Sequence, residues 1–310
     1  MTHVATLIAT PAHPITDALA RAAADALPGA AAFAWLDPGT AIDIPFSAAG
    51  ENDNTDNRVL AARVRAALGA VPVDIVVQKS ATRRKRLLLA DMDSTMIGQE
   101  CVDELADFVG HRARVAAITE RAMRGEIEFA PALRERVALL AGLPGSIIEE
   151  VIAKRISLTP GGRTLVLTMR RAGAYTCLVS GGFTAFTDPI ATQIGFEENR
   201  GNTLVIGEDG RFSGKVAEPI LGREAKLNTL VELRGRLGLG HDDTLVVGDG
   251  ANDLLMISAA GLGVAYHAKP MVAETASARI DHGDLTALLY AQGYRREEFV
   301  EGLAGVRRAD

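Results

Sequence analysis

Cysteine is nearly absent: only Cys101 and Cys177 occur in 310 residues, and Cys177 lies inside an apolar stretch as a small core residue does. A disulfide framework is therefore not expected, and a reducing cytoplasm fits. Basic residues are not in excess either. The 33 Lys and Arg against 39 Asp and Glu leave a net charge of −6, which argues against a nucleic-acid partner. No apolar run approaches the roughly 18 residues that a membrane span needs, so no membrane partner is expected. The opening MTHVATLIATPAHP has no basic segment ahead of its apolar residues, and His13 and Pro14 interrupt it, so no secretory signal is read. Repeats and low-complexity segments are missing too, apart from an alanine bias.

What remains is an ordinary composition, 48% apolar and 23% charged, sufficient for one large or two smaller domains. Residues 1–80 read as strand (HVATLIAT), Ala-rich helix, two strands (AAFAWL, AIDIPF), a second helix (NRVLAARVRAALG) and a strand (VDIVVQ). That order suits a small α+β unit of the ferredoxin-like kind. The basic run KSATRRKR reads as a solvated linker and places a boundary near residue 80, with a second domain over 81–310.

From Leu87 onward, apolar runs end in Gly or Asp and are followed by helical periodicity: RLLLA, AYTCLV, TLVV and GLGVAY. Strands alternating with helices predict an α/β fold with a parallel sheet, in which ligands sit beyond the carboxyl ends of the strands. Two segments break the alternation. Residues 102–157 have helical spacing and predict an insertion after the first strand, and Glu208-Asp209-Gly210 between two strand-like runs predicts a β-hairpin.

The polar clusters fall at the strand ends. Asp91 and Asp93 close the first core strand, while Asp249 and Asp253 follow TLVV in VVGDGAND. Carboxylates gathered in a cleft are costly unless a cation compensates, and hard oxygen donors with room for water suit Mg²⁺ beside a phosphorylated ligand. In VSGGF, Ser180 and the amides of Gly181 and Gly182 form an anion-binding arrangement, and Lys226 offers a point charge. A carboxylate can act as a covalent nucleophile through an aspartyl-phosphate while its neighbour handles the proton. Taken singly, DMDST is also compatible with an Asx turn. It is no calcium loop, since Met96 stands where Gly and Val102 where Glu is required. GDGAND lacks the third Gly of a dinucleotide turn, and GRFSGKV is one residue short of a P-loop.

Together, DMDSTMIGQE, VSGGF, AKLNTL and VVGDGANDLLM resemble the successive motifs of the haloacid dehalogenase superfamily phosphatases, over residues 86–284. The stretch AMRGEIEFAPALRERVALLAGLP resembles the cap of the phosphoserine phosphatases within that superfamily. The resemblance implies a Rossmann-like core with a helical cap at about 99–158 and an ACT-like N-terminal domain. It implies Asp91 as nucleophile and Asp93 as general acid/base. Mg²⁺ would be held by Asp91, the backbone carbonyl of Asp93 and Asp249, with Asp253 in support. Ser180 and Lys226 would hold the phosphoryl group, and Gly181 and Asn252 would add substrate contacts. Glu100 would receive the substrate ammonium and Arg136 its carboxylate, while Met123 and Phe129 would exclude water.

A zwitterionic amino acid needs one anionic and one cationic partner, which Glu100 and Arg136 provide; Arg134 is the rival for the cationic role. The implied activity is cytoplasmic hydrolysis of O-phosphoserine in the last step of L-serine biosynthesis. Hydrolysis or transfer from another small phosphomonoester, and a noncatalytic amino-acid sensor, remain as alternatives. For the N-terminal domain, effector binding, homodimer formation and a purely structural role all stay open.

Overall fold

The computed structural model describes residues 1–47, 56–123 and 126–302. The chain begins β1 (His3–Ala9), α1 (Asp17–Asp25), β2 (Ala34–Asp37), β3 (Ala41–Phe46), α2 (Asn57–Leu68) and β4 (Val73–Lys79). These strands form an antiparallel sheet in the order β2-β3-β1-β4, the ferredoxin-like arrangement expected from the sequence. Thr16 caps α1 by accepting from Leu19 N, and Asp56 caps α2 by accepting from Arg58 N. Every residue of β1 is buried because the strand is central and covered twice. Ala5 and Leu7 pack with residues of α1 and α2, whereas Ile8 joins the core of the following unit.

That second unit starts with β5 (Leu87–Ala90). It is followed by α3 (Cys101–Phe108), α4 (Arg112–Met123), α5 (Phe129–Ala138) and α6 (Ile147–Arg155). The chain returns through α7 (Gly162–Arg171), β6 (Tyr175–Phe183), α8 (Thr184–Ile194) and β7 (Glu198–Asn202), then the hairpin β8 (Leu204–Ile206) and β9 (Phe212–Val216). It finishes with α9 (Arg223–Arg236), β10 (Thr244–Gly248), α10 (Leu254–Ser258), β11 (Leu262–Tyr266), α11 (Pro270–Thr275), β12 (Ala278–Ile280) and α12 (Ala287–Ala291). The core sheet is parallel, in the order β12-β11-β10-β5-β6-β7. Its order reverses around β5, so the ligand crevice is expected where β5 ends.

The four expected core strands are all present. β7 and β12 are additional: ENRGN carries no apolar pattern and ARI is only three residues long, so neither announces a strand. Helices α3–α6 form the expected insertion. The hairpin turns at Gly210 (φ +73°), with Arg211 N donating to Asp209 Oδ1.

The segment read as a solvated linker is only partly solvated: Lys79, Ala81, Arg84 and Arg86 are exposed, but Arg83 and Lys85 are not. Lys85 is only 5% exposed, with Nζ 2.8 Å from Asp242 O, and Arg83 makes two hydrogen bonds to Asp43 at 2.7 and 2.8 Å. A run of like charges reads as solvent-facing only while its partners, here Asp43 and the Asp242 carbonyl, are out of view. The two units also meet through Asp74 of β4, whose carboxylate accepts from the backbone amides of Asp281, His282 and Gly283. Gln78 adds a bond to Ala291 O, and Tyr290 Oη donates to Asp37. None of the helices among the described residues is long and apolar enough to cross a membrane.

Candidate active site

Asp91 reaches the sheet edge because the four residues of β5 before it are wholly buried, and Asp91 N extends the ladder by donating to Val247 O at 3.0 Å. The strand cannot continue. Met92–Met96 form a wide irregular turn in which Asp93 is extended and Ser94 adopts φ +53°. Asp91 Oδ1 accepts from Met92 N at 2.8 Å, and Asp93 Oδ1 accepts from Cys101 N, the first residue of α3, at 3.0 Å. Ser180 Oγ lies 3.4 Å from Asp93 Oδ2 and accepts from Gly182 N at 2.8 Å. The phosphate-type loop of β6 and the aspartate loop of β5 thus share one crevice.

Lys226 stands on the first turn of α9 and is 2% exposed, with Nζ 2.7 Å from both Asp91 Oδ1 and Asp253 Oδ1. Asp253 is fully buried, and its second oxygen accepts from Gly250 N. Thr95 Oγ1 donates to Asp249 Oδ1 at 3.1 Å, and Asn252 Nδ2 is 3.4 Å from Asp91 Oδ2. Asp91, Asp249 and Asp253 offer oxygens within 4.8 Å of one another. Such a set of hard donors suits a small divalent cation.

The electrostatics agree with that chemistry. Burial first and the Asp253 charge second push the Asp91 carboxyl well up from its ordinary value. Burial, then the Glu100 charge, raises Asp93 to about 6, and burial, then Asp253, raises Asp249 to about 6. Burial disfavours the Lys226 ammonium, but Asp253 and Asp91 outweigh it and raise its pKa. One buried cation faces several crowded carboxylates, so an added cation would relieve strain already present.

The residues expected to recognise an amino acid belong to the helical insertion. Glu100 precedes α3 and accepts from Ser94 Oγ at 2.7 Å. Arg136 of α5 is drawn by Asp103, Glu100 and Asp93, while burial lowers its pKa, and its Nε is buried without a hydrogen-bond partner. Arg134 instead pairs with Glu218 at 2.5 Å on the exposed side of the helix. Phe129, 38% exposed, places its ring edge 3.3 Å from where a Cβ on Gly181 would stand. Met123 ends α4, and its side chain lies outside the described residues. Ser94, Thr95 and Asn202 were missed by sequence reasoning. The first two sit inside DMDST, where a hydroxyl beside carboxylates was the available signal; Asn202 gave none.

A family model for haloacid dehalogenase-like hydrolases matches residues 88–258, more than half of the chain. The chain belongs to that family. Among relatives of this haloacid dehalogenase-like hydrolase, phosphoserine phosphatase SerB2 of Mycobacterium tuberculosis is 42% identical over 243 residues, 77% of this chain and 59% of that protein. The chain thus spans about three fifths of that relative's length. A phosphoserine phosphatase of Polaromonas sp. is 47% identical over 66% of this chain and 88% of its own. In structure, the hydrolase is similar to a probable phosphoserine phosphatase from Vibrio cholerae, with TM-score 0.75 and 30% identity over 96% of this chain and 88% of that one.

Proposed function

We propose that this haloacid dehalogenase-like hydrolase is an Mg²⁺-dependent phosphatase that converts O-phosphoserine to serine and phosphate. The observation that carries the reading is the pairing of a phosphoryl-type clamp (Asp91, Asp93, Ser180, Lys226) with a half-buried Arg136, its Nε buried without a hydrogen-bond partner, within electrostatic reach of Glu100. A phosphate ester alone has no use for the second pair, whereas an amino acid engages both. The relatives named phosphoserine phosphatase support the same substrate.

Asp91 Oδ1 is held by Met92 N and Lys226, whereas Oδ2 meets only the longer 3.4 Å approach of Asn252 Nδ2, so Oδ2 is the attacking oxygen. It forms a bond to phosphorus as the bond to the seryl oxygen breaks, and Asp93 gives that oxygen its proton. Asp93 then takes a proton from water, whose oxygen displaces the Asp91 carboxylate and releases phosphate. A pKa near 6 suits a group that must serve in both protonation states. Lys226, Ser180 and the Gly181 amide counter the phosphoryl charge, an electrostatic contribution. Asp91, the Asp93 carbonyl and Asp249 would hold Mg²⁺, with Asp253 in support; the ion supplies further charge neutralisation at the phosphoryl oxygens. Phe129 over Gly181 would limit water, in the role also assigned to Met123.

We further propose two domains, 1–80 and 81–310, with residues 99–158 as a cap moving at its two connections. Those connections are joined by the Ile97–Leu158 bridge and by Gln99, which bonds Ser157 through both amide atoms. The test is phosphate release from phosphoserine, phosphothreonine and phosphosugars, with and without Mg²⁺, for wild type and Asp91→Asn. Turnover of phosphoserine that Asp91→Asn abolishes is expected. Undiminished turnover by Asp91→Asn would overturn the covalent route, and a preference for phosphosugars would overturn the roles of Glu100 and Arg136.

A further inference from the structure

The register between β6 and β7 breaks at the phosphoryl loop: Val179 pairs with Arg200, and the next pair is Phe183 with Asn202. β6 therefore spends four residues where β7 spends two, and residues 180–182 bulge out of the ladder. A bulge of this kind leaves backbone groups without a ladder partner. Asn202, 2% exposed at the end of β7, supplies one: its Nδ2 donates to Gly181 O at 2.9 Å. The same nitrogen donates to Leu221 O at 3.1 Å, and its Oδ1 accepts from Leu221 N at 2.7 Å. Leu221 immediately precedes Gly222, the N-cap of the helix that carries Lys226.

We infer that Asn202 is a positioning residue that sets the two phosphoryl-holding groups, Ser180 and Lys226, relative to each other; the inference rests on the phosphatase reading above. The carbonyl of Gly181 and the N–H of Gly182 belong to one planar peptide unit, so fixing the first aims the second. That N–H donates to Ser180 Oγ, which in turn faces Asp93. The other half of the side chain fixes the start of α9. One buried amide thus spans both sides of the clamp, with all its bonds made to backbone. Its neighbour bears on the same loop: a Cβ on Gly201 would stand 3.2 Å from both Gly182 O and Thr184 N. Residues 203–217 then form a hairpin bonded to the loop after α5, through Gly142 N to Phe212 O, Phe212 N to Leu143 O and Gly145 N to Gly210 O. Asn202 sits at the root of that connection.

The test compares wild type with Asn202→Ala, Asn202→Asp and Gly201→Ala. It reads kcat/KM on phosphoserine and on p-nitrophenyl phosphate, calorimetric affinity for inorganic phosphate and for L-serine, and thermal melting. A displaced clamp predicts a loss of about 10- to 100-fold, equal on both substrates. Phosphate affinity should weaken, with L-serine affinity unchanged. A purely structural role would lower the melting temperature and leave phosphate affinity of the folded protein intact, which would overturn the assignment. So would a loss confined to phosphoserine. If Asn202→Ala does not fold, Asn202→Asp decides by the same readouts, because it keeps the acceptor for Leu221 N and lacks the donor to Gly181 O. Wild type inert toward phosphoserine would instead overturn the functional reading, and phosphate affinity, which needs no turnover, would still judge Asn202.

Discussion

Arg134 and Arg136 lie two positions apart on α5 and have different surroundings: the first pairs with Glu218 in solvent, the second is half-buried near the charges of Asp103 and Glu100 with its Nε buried and unbonded. Arg136→Ala should lower kcat/KM on phosphoserine by about 100-fold, the scale of a lost charge-assisted pair, and on p-nitrophenyl phosphate far less. Arg134→Ala should leave both nearly unchanged. Steady-state kinetics on the two substrates checks this, and equal losses for Arg136→Ala would indicate packing instead of recognition. Thr95 acts one step further out, through its hydrogen bond to Asp249. Thr95→Val removes that orienting bond, and the Mg²⁺ concentration for half-maximal activity should rise by about 10-fold. An unchanged Mg²⁺ titration would show that Asp249 needs no such support. Of these residues, the aspartates and Lys226 were legible because their motifs bring chemistry and spacing together. Thr95 was not, because its partner is 154 residues away.

Among the elements, β5, β6, β10 and β11 announce themselves by dense apolar runs, since both faces of a parallel sheet are covered. β7 does not, for all its residues but Asn202 are only partly buried. The hairpin was legible through its Asp-Gly turn, yet its attachment to the loop after α5 was not, because backbone hydrogen bonds leave no mark on side-chain pattern. Gly214 shows how close that attachment is: at φ +76°, a Cβ there would stand 2.9 Å from Ala141 Cβ. Gly214→Ala should cost about 1–3 kcal/mol from backbone strain and contact together. Gly142→Ala, also at positive φ (+80°) but with open space around its Cβ, should cost less, near 1 kcal/mol. Urea denaturation of the two variants checks the order, and equal costs would mean that the hairpin yields without penalty.

At the scale of the whole molecule, the joint between the two units rests on buried polar groups. Burial lowers the Lys85 ammonium from 10.5 to about 8, despite Asp242 and Asp243 nearby. Its folded pKa lies below its unfolded one, so between about pH 8 and 10.5 the unfolded chain holds more protons and stability gains with rising pH. Below that window the charged side chain is a standing cost, of order 3 kcal/mol at 1.36 kcal/mol per unit. Lys85→Met should therefore be more stable than wild type at pH 7, and the difference should shrink as pH rises through the window. Chemical denaturation at pH 7 and pH 10.5 measures it; a difference independent of pH would show that Lys85 is not desolvated in the fold.

The sequence by itself determined the ferredoxin-like order of the first unit, the main strands of the second, the helical insertion and the carboxylates at the strand ends. Each of these is written locally, in side-chain period or in a motif of a few residues. Only the tertiary structure decided that KSATRRKR is partly buried, that Arg134 pairs with Glu218 while Arg136 lies among the charges of Asp103, Glu100 and Asp93, and that Asn202 closes the gap beside Gly181. Those outcomes depend on Asp43, Glu218 and Gly181, partners far away in the chain, which share no local pattern with the residues they hold.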